Sequence, residues 1–387
     1  MRLFEGVSLR RANWQAVLLA AVLLLIGLAF VYSASYRPTG GGEGYYTTSP
    51  QKQAVWAAIG FCVFLAVIAV DYKLLIEWAY VLYGLGLLLL ILTMFVGVEV
   101  NGSRRWIDLG LLRLQTSEVM KIAAVLALAR YLARWEERAK MTGLVAPVLI
   151  ILAPVILIAR QPDLGTAMLF LPIAGGLVFA AGARAKHLLI LALAGVLALP
   201  CLWFVMKPYQ KRRVMSFINQ DSTDPEKLMN DLYHLTQAKA AVGSGRWLGK
   251  GWRRGSQNRL NFLPMRNTDF IFAVICEEWG FLGAIGVLLL YFLFFASCAR
   301  IADKARDPPA GLLVTGVTIL FATQMLVTTA MAAGQFPTVG LPLPFMSYGG
   351  SSLLTSFACL GLAVNVSMRP RMIWGRQEEQ DLMAEPG

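Results

Sequence analysis

Histidine is nearly absent from this chain, with only His187 and His234, and the five cysteines (Cys62, Cys201, Cys276, Cys298 and Cys359) form no CxxC pair. That excludes most of the material for a His/Cys metal centre or a disulfide framework. The cysteines lie in or beside apolar runs and read as small packing residues. Charge is scarce too: 15% of the 387 residues are charged, against about a quarter in a soluble domain. A large water-facing surface is therefore not available.

What is abundant is apolar surface. The chain is 57% hydrophobic and its mean hydropathy is +0.60. Long apolar runs recur along its whole length, so the membrane is the solvent for most of it. Residues 1–387 read as a single polytopic membrane domain. The net charge of +12 would suggest nucleic acid in a soluble protein. Here much of it follows from Lys and Arg collecting on cytoplasmic loops, and no nucleic-acid partner is expected.

The expected architecture is an all-α integral membrane protein of about ten transmembrane helices, each of about 17 to 25 mostly apolar residues. They fall near 14–33, 53–70, 75–98, 117–134, 142–159, 164–183, 187–206, 269–299, 310–333 and 349–368. The first run is too long for a signal-peptide core, so Ser33-Ala34-Ser35 is read as the end of an uncleaved helix and not as a cleavage site. In a ten-helix arrangement, Arg2, Arg10, Arg11, Arg134, Arg138, Lys140, Arg184, Lys186, Arg300, Lys304, Arg306, Arg369, Arg371 and Arg376 share one side. The positive-inside rule makes that side cytoplasmic, with both termini inside and the polar tail 370–387 after them.

Three segments break the pattern, and all face outside in this arrangement: 99–116, a large loop at 207–268 between helices 7 and 8, and a Gly/Pro-rich turn at 334–352. The large loop holds twelve Lys and Arg against four acids (Asp221, Asp224, Glu226 and Asp231). Such a cluster suits an anionic, phosphorylated partner, although single cations there read equally well as contacts to lipid headgroups. Within it, Lys239 follows Tyr233-His234, and Gly249-Lys250-Gly251-Trp252 offers either a close-approach ligand surface or a structural turn. Arg266 lies close before Thr268-Asp269.

Asp269 opens an apolar helix. It reads either as a helix-terminal acid or as a carboxylate that takes a proton from a sugar hydroxyl. Glu277 and Glu278 lie roughly 12 Å further along the same helix and read as partners within the bundle. Glu118 and Lys121 are three apart, hence on one face, as an ion pair or a polar site under Trp106. Arg160 and Asp163 flank another polar kink. Three prolines in 337–352, with Ser347 and Tyr348, forbid a straight helix and suggest a site wall.

These segments, in this order, resemble the SEDS family (shape, elongation, division and sporulation) of peptidoglycan glycosyltransferases, RodA and FtsW. The resemblance rests on Val31-Tyr32-Ser33-Ala34-Ser35, Arg105-Trp106-Ile107-Asp108, Ser117-Glu118-Val119-Met120-Lys121, Gln161-Pro162-Asp163-Leu164-Gly165-Thr166, Thr268-Asp269-Phe270-Ile271-Phe272-Ala273 with Glu277-Glu278, and Leu343-Pro344-Phe345-Met346-Ser347-Tyr348-Gly349-Gly350. Gly249-Lys250-Gly251-Trp252 and Leu260-Asn261-Phe262-Leu263-Pro264 look more like RodA. Pro264-Met265-Arg266-Asn267 departs from it, because RodA-like sequences commonly carry an acid and a His there.

The resemblance implies joining of lipid II, a disaccharide-pentapeptide on undecaprenyl pyrophosphate, into glycan strands, with Asp269 as the base for the acceptor 4-hydroxyl. It implies that Trp106, Glu118 and Lys121 lie near that site. It leaves room for a divalent cation, Mg or Mn, with no ligand set evident. It implies a class B penicillin-binding protein as partner within an elongation complex of other membrane proteins. The resemblance also implies a bacterial inner membrane as the location. The competing readings are a lipid II flippase, which gives no special reason for one carboxylate at the outer mouth, and a non-catalytic scaffold, which would tolerate loss of Asp269 with assembly intact.

Overall fold

Apolar runs of bilayer length become helices, and several start at a group that satisfies their first free N–H. In the computed structural model, which describes residues 11–38, 44–100, 103–108, 110, 113–136, 140–206, 208–220, 232–305 and 307–369, the Asn13 side chain accepts from Ala16 N to begin α1 (Trp14–Ala34). Pro50 lies in the first turn of α2 (Ser49–Ala69), where a missing N–H costs nothing. The expected helix at 75–98 is two pieces. Asp71 caps α3 (Tyr72–Glu77), and the chain turns at Trp78 into α4 (Ala79–Val96).

Next come α5 (Thr116–Ala133), α6 (Val145–Arg160), α7 (Leu164–Ala180) and α8 (Ala185–Val205). Among the described residues, the large basic loop carries three short helices, α9 (Pro208–Ile218), α10 (Tyr233–Ser244) and α11 (Ser256–Arg259). Its acids Asp221, Asp224, Glu226 and Asp231, with Lys207 and Lys227, lie outside the described residues, as do Arg2, Arg10, Arg138, Arg306 and the tail 370–387. The chain closes with α12 (Ile271–Lys304), α13 (Pro308–Ala332) and α14 (Gly350–Met368).

Among the described residues, seven helices are long and apolar enough to cross a membrane on their own, and α7 and α8 are shorter apolar ones. The tenth crossing is α5, which carries Glu118, Lys121 and Arg130. It tolerates them because it is the inner helix, packed against α4, α6, α7, α13 and α14, so its charges meet protein and not lipid. Helix α14 is similarly enclosed, packed between α2, α13 and α5. By contrast, α2 and α4 turn Phe61, Leu65, Leu85, Leu88 and Phe95 outward, as lipid-facing helices do. The protein is a multi-pass membrane protein.

Two small antiparallel sheets supplement the helices. Strand β1 (Tyr36–Pro38) pairs with β2 (Gly44–Tyr46). The segment 99–116, a loop in the sequence reading, contributes to a three-stranded sheet of β3 (Val98–Val100), β4 (Ser103–Asp108) and β5 (Arg113–Gln115). Its register places Trp106 between Val98 and Gln115. The strands are too short, and too rich in charge, for alternation to stand out in the sequence.

Candidate active site

Asp269 lies in a tight turn two residues before α12. Thr268, Asp269 and Phe270 all donate their N–H to the Met265 carbonyl, at 3.1, 3.1 and 3.3 Å. The cap position belongs to Phe270, and no side chain caps it. Asp269 therefore makes no capping hydrogen bond to α12. The carboxylate is half-buried, with the backbone of Gly340 against it: a Cβ there would lie 3.3 Å from Oδ2. Burial pushes the Asp269 carboxyl above its usual range; a Thr268 hydrogen bond and the charges of Arg213 and Arg105 pull the other way without overcoming it.

The turn is tied to the Gly/Pro-rich wall. Ser347 Oγ donates to the Thr268 carbonyl at 2.6 Å and accepts from Leu343 N at 2.8 Å, while Tyr348 N donates to the Asn267 carbonyl at 2.8 Å. Gln53, buried in α2, closes the same wall by donating to the Ser347 carbonyl at 3.0 Å and accepting from Gly349 N at 3.2 Å. The wall also meets the first turn of α7, where Gly165 lies directly under the Val339 carbonyl.

The β4–β5 sheet supplies the third side. Arg105 donates to the carbonyls of Gln161 and Pro162, and its Nη1 lies 3.6 Å from Asp163 Oδ1. Asp163 also caps α7 through Thr166 N at 3.2 Å, and it accepts from Thr166 Oγ1 at 2.9 Å and from Gln115 Nε2 at 3.2 Å. Asp163 is thus a brace that holds Arg105 at the turn between α6 and α7. Arg160 is exposed at the end of α6, and Trp106 is half-buried on the sheet.

Below this, within the bundle, Lys121 Nζ lies 2.8 Å from Glu118 Oε1 and 3.5 Å from Gln324 Oε1. Gln324 Nε2 donates to the Pro342 carbonyl at 2.6 Å. The polar pair is therefore joined to the wall beside Gly340 and Asp269. Ser117 Oγ and Glu118 Oε2 have no hydrogen-bond partner there.

Three residues expected at the site have other surroundings or partial roles. Lys250 pairs with buried Glu277 at 2.7 Å, and Glu277 further accepts from Ser256 Oγ, Gln257 N and Asn258 N. Its neighbour Glu278 accepts from Ser33 Oγ at 2.5 Å, Asn258 Nδ2 at 3.0 Å and Arg253 N at 3.0 Å. The Gly-rich stretch is a structural turn: Gly249 (φ 77°) and Gly280 (φ 65°) face each other at a break in α12, where a Cβ on either would overlap the other's backbone. Arg266, 1% exposed, donates to the carbonyls of Ala34 at 2.8 Å, Asn258 at 2.6 Å and Tyr36. It is pinned to the end of α1 and does not open on Asp269. Lys239 stays close to the wall, its stem against Gly334 and its Nζ 3.4 Å from Gln220 Oε1.

Sequence reasoning passes over Arg105 and Arg213 as individual site residues, and Gln53 and Gln324 altogether. The first was in view as part of Arg105-Trp106. The two glutamines carry a usable signal, each an amide inside an apolar span. Arg213 is in view only as one of the loop's twelve cations, and nothing in Lys211-Arg212-Arg213 singles it out. Among the described residues no three His, Cys, Asp or Glu side chains converge as metal ligands.

The profile of the FtsW, RodA and SpoVE family, described as cell cycle protein, matches residues 13–372. The chain belongs to this family. Among curated FtsW/RodA/SpoVE relatives it is 35% identical over 369 residues to the peptidoglycan glycosyltransferase MrdB of Escherichia coli K12, covering 94% of this chain and 97% of that one. It is 34% identical over 368 residues to the probable peptidoglycan glycosyltransferase FtsW of Trichlorobacter lovleyi, covering 92% and 94%. The solved rod shape determining protein RodA of Thermus thermophilus superposes with a TM-score of 0.70 at 30% identity, covering 93% of this chain and 98% of that one. A chain from a peptidoglycan synthase complex that coordinates polymerization and crosslinking superposes at 0.78 with 32% identity, covering 92% and 97%.

Proposed function

We propose that this chain is a peptidoglycan glycosyltransferase that polymerises lipid II into glycan strands during cell elongation. The observation that carries the mechanism is the half-buried Asp269 carboxylate, which caps no helix, lies against Gly340 of the 334–350 wall and feels the charges of Arg105 and Arg213. Asp269 accepts the proton of the acceptor 4-hydroxyl as that oxygen bonds to the donor anomeric carbon. The bond from that carbon to the pyrophosphate oxygen breaks, and the electron pair leaves with the lipid pyrophosphate, inverting the centre. A carboxyl raised above its usual range is, once ionised, a stronger base than an ordinary carboxylate. Arg105 and Arg213 stand where charge on the leaving group is stabilised, with Lys239 at the wall's edge. Trp106, Ser347 and Tyr348 shape the acceptor side.

A Mg or Mn ion carried with the pyrophosphate would supply charge neutralisation of the leaving group. The described residues offer it no converging ligand set, and no step above depends on it. The reaction takes place at the outer face of the bacterial inner membrane, with both termini cytoplasmic, beside a class B penicillin-binding protein that cross-links the product. The solved synthase complex, which couples polymerization to crosslinking, supports that partner class.

The test is glycan polymerisation by the purified protein, alone and with its transpeptidase, from labelled lipid II. Wild type makes polymer and a folded Asp269→Asn protein makes none. Transport of lipid II across vesicles without polymer would assign the chain to a flippase instead. Equal polymerisation by both proteins would move the base elsewhere.

A further inference from the structure

One cavity lies nowhere near Asp269. It holds about 510 Å³ and is lined by residues from four places in the chain, including Arg11, Gln15, Arg300, Lys304, Asp307 and Arg369. Helix α12 begins beside Asp269, breaks at Gly280 and ends at Lys304, and its arm beyond the break alone spans roughly 35 Å of helical rise. This cavity is at the opposite end of the bundle, and the reaction above does not use it.

Its charge is lopsided, with four cations lining it against the single carboxylate of Asp307. The carboxylate is already engaged, accepting from the Tyr72 hydroxyl at 3.1 and 3.2 Å. Arg369 is held rigidly: it donates to Asn365 Oδ1, to the Ile68 carbonyl at 2.9 Å and to the Ala69 carbonyl at 3.2 Å, with Asp71 at 3.6 Å. Arg300 gives one N–H to Gln15 Oε1 at 3.0 Å and another to the Ala296 carbonyl at 3.2 Å. Arg11 and Lys304 are exposed.

Cations at helix ends are ordinary in membrane proteins, and Lys304 in the last turn of α12 also suits the helix dipole. That accounts for single residues along a rim. It does not account for three chain segments delivering Arg11, Arg300 with Lys304, and Arg369 to the walls of one cavity, where Asp307 is the one acid in the lining and a further anion would be favoured. The volume suits a small polar group. The lining also includes Trp14, 57% exposed, at the start of a membrane-spanning helix. An aromatic there marks the headgroup level of a bilayer and gives acyl chains a surface to lie along.

We infer that this cavity is a binding site for the phosphate of an anionic phospholipid headgroup, contacted by Arg11, Arg300 and Lys304 while Arg369 sets the floor potential. Basic pockets between membrane helices hold such headgroups by direct contact in addition to the surface potential. The inference is independent of the glycosyltransferase reading.

The experiment is native mass spectrometry of the full-length protein with phosphatidylglycerol or phosphatidylcholine, comparing wild type with R300Q/K304Q and the charge-conserving R300K/K304R. Phosphatidylglycerol is retained in preference to phosphatidylcholine, roughly tenfold less by the Gln variant and undiminished by the Lys/Arg exchange. Inorganic phosphate at millimolar concentration does not displace it. Equal retention of the two lipids overturns the site, as does a Gln variant that retains phosphatidylglycerol like wild type. Displacement by inorganic phosphate would make it a site for a soluble anion. Polymerisation by both variants checks that they are folded, since neither residue lies at the Asp269 end.

Discussion

Lys121 and Glu118 form an ion pair 2.8 Å long on the innermost helix, with both side chains almost wholly shut away, at 1% and 3% exposure. A pair this deep is paid for by desolvation, and its worth lies in what happens when it is broken. Lys121→Met leaves the Glu118 carboxylate unpaired, and Glu118→Gln does the same to the ammonium. Each single change is expected to destabilise the fold by about 3–5 kcal/mol. The double variant E118Q/K121M recovers most of that loss. Thermal unfolding of the four proteins in one detergent gives the coupling, and additive losses would mean that the pair does not act as a unit.

Asp269→Asn separates catalysis from folding. Because burial raises the folded carboxyl above its unfolded value, the ionised form is the strained one. The stabilising contribution of this group is full below the unfolded value and is lost as pH rises through the raised folded value. At pH 8 the variant should therefore melt no lower than wild type, while polymerisation disappears. In wild type the acid limb of the kcat/KM profile should lie above the ordinary carboxylate range. A variant that melts lower than wild type at pH 8 would show that the carboxylate is structural.

Gly340 controls where Asp269 sits. Its φ of 74° is in the region that disfavours side chains, and a Cβ would come 3.3 Å from Oδ2. Gly340→Ala adds about 1–2 kcal/mol of backbone strain and presses on the base. The expected outcome is a folded protein with polymerisation reduced roughly tenfold or more and retention of labelled lipid II nearly unchanged, since a small displacement of a catalytic group costs rate far more than affinity. Loss of binding in parallel with rate would place Gly340 in the substrate contact instead.

Much of this molecule is legible in its sequence because bilayer length leaves few alternatives: each apolar run of sufficient length became a crossing. The pair Glu118–Lys121 follows from their spacing of three on one helical face. What is not legible is which polar residues meet across the fold. Arg266 stands three residues from Asp269 in the chain, yet the turn at Met265 swings its guanidinium to the end of α1. Gln324 is far from Lys121 in sequence and carries the link from Lys121 to the Pro342 carbonyl. Short strands β3–β5 escape for a different reason, since they are held by tertiary register and not by a long alternating pattern.

Lys250 offers the sharpest contrast between what a basic loop suggests and what it does. Its ammonium meets Glu277 Oε1 at 2.7 Å, and Glu277 is fully buried in α12. The loop backbone is fastened to the same helix, with Lys250 N on the Glu277 carbonyl at 3.0 Å and Gly251 N on the Glu278 carbonyl at 2.9 Å. Removing the charge with Lys250→Met leaves a buried carboxylate with only neutral donors, Ser256 Oγ and the N–H groups of Gln257 and Asn258. The expected loss is about 2–4 kcal/mol of stability, the Lys250 side chain being partly solvated. Replacing both residues, as in E277Q/K250M, should restore most of the melting temperature and with it polymerisation, because the clamp positions α12 and touches no substrate. If E277Q/K250M melts like wild type but makes no polymer, Lys250 contacts substrate after all, as its place among the loop cations suggests.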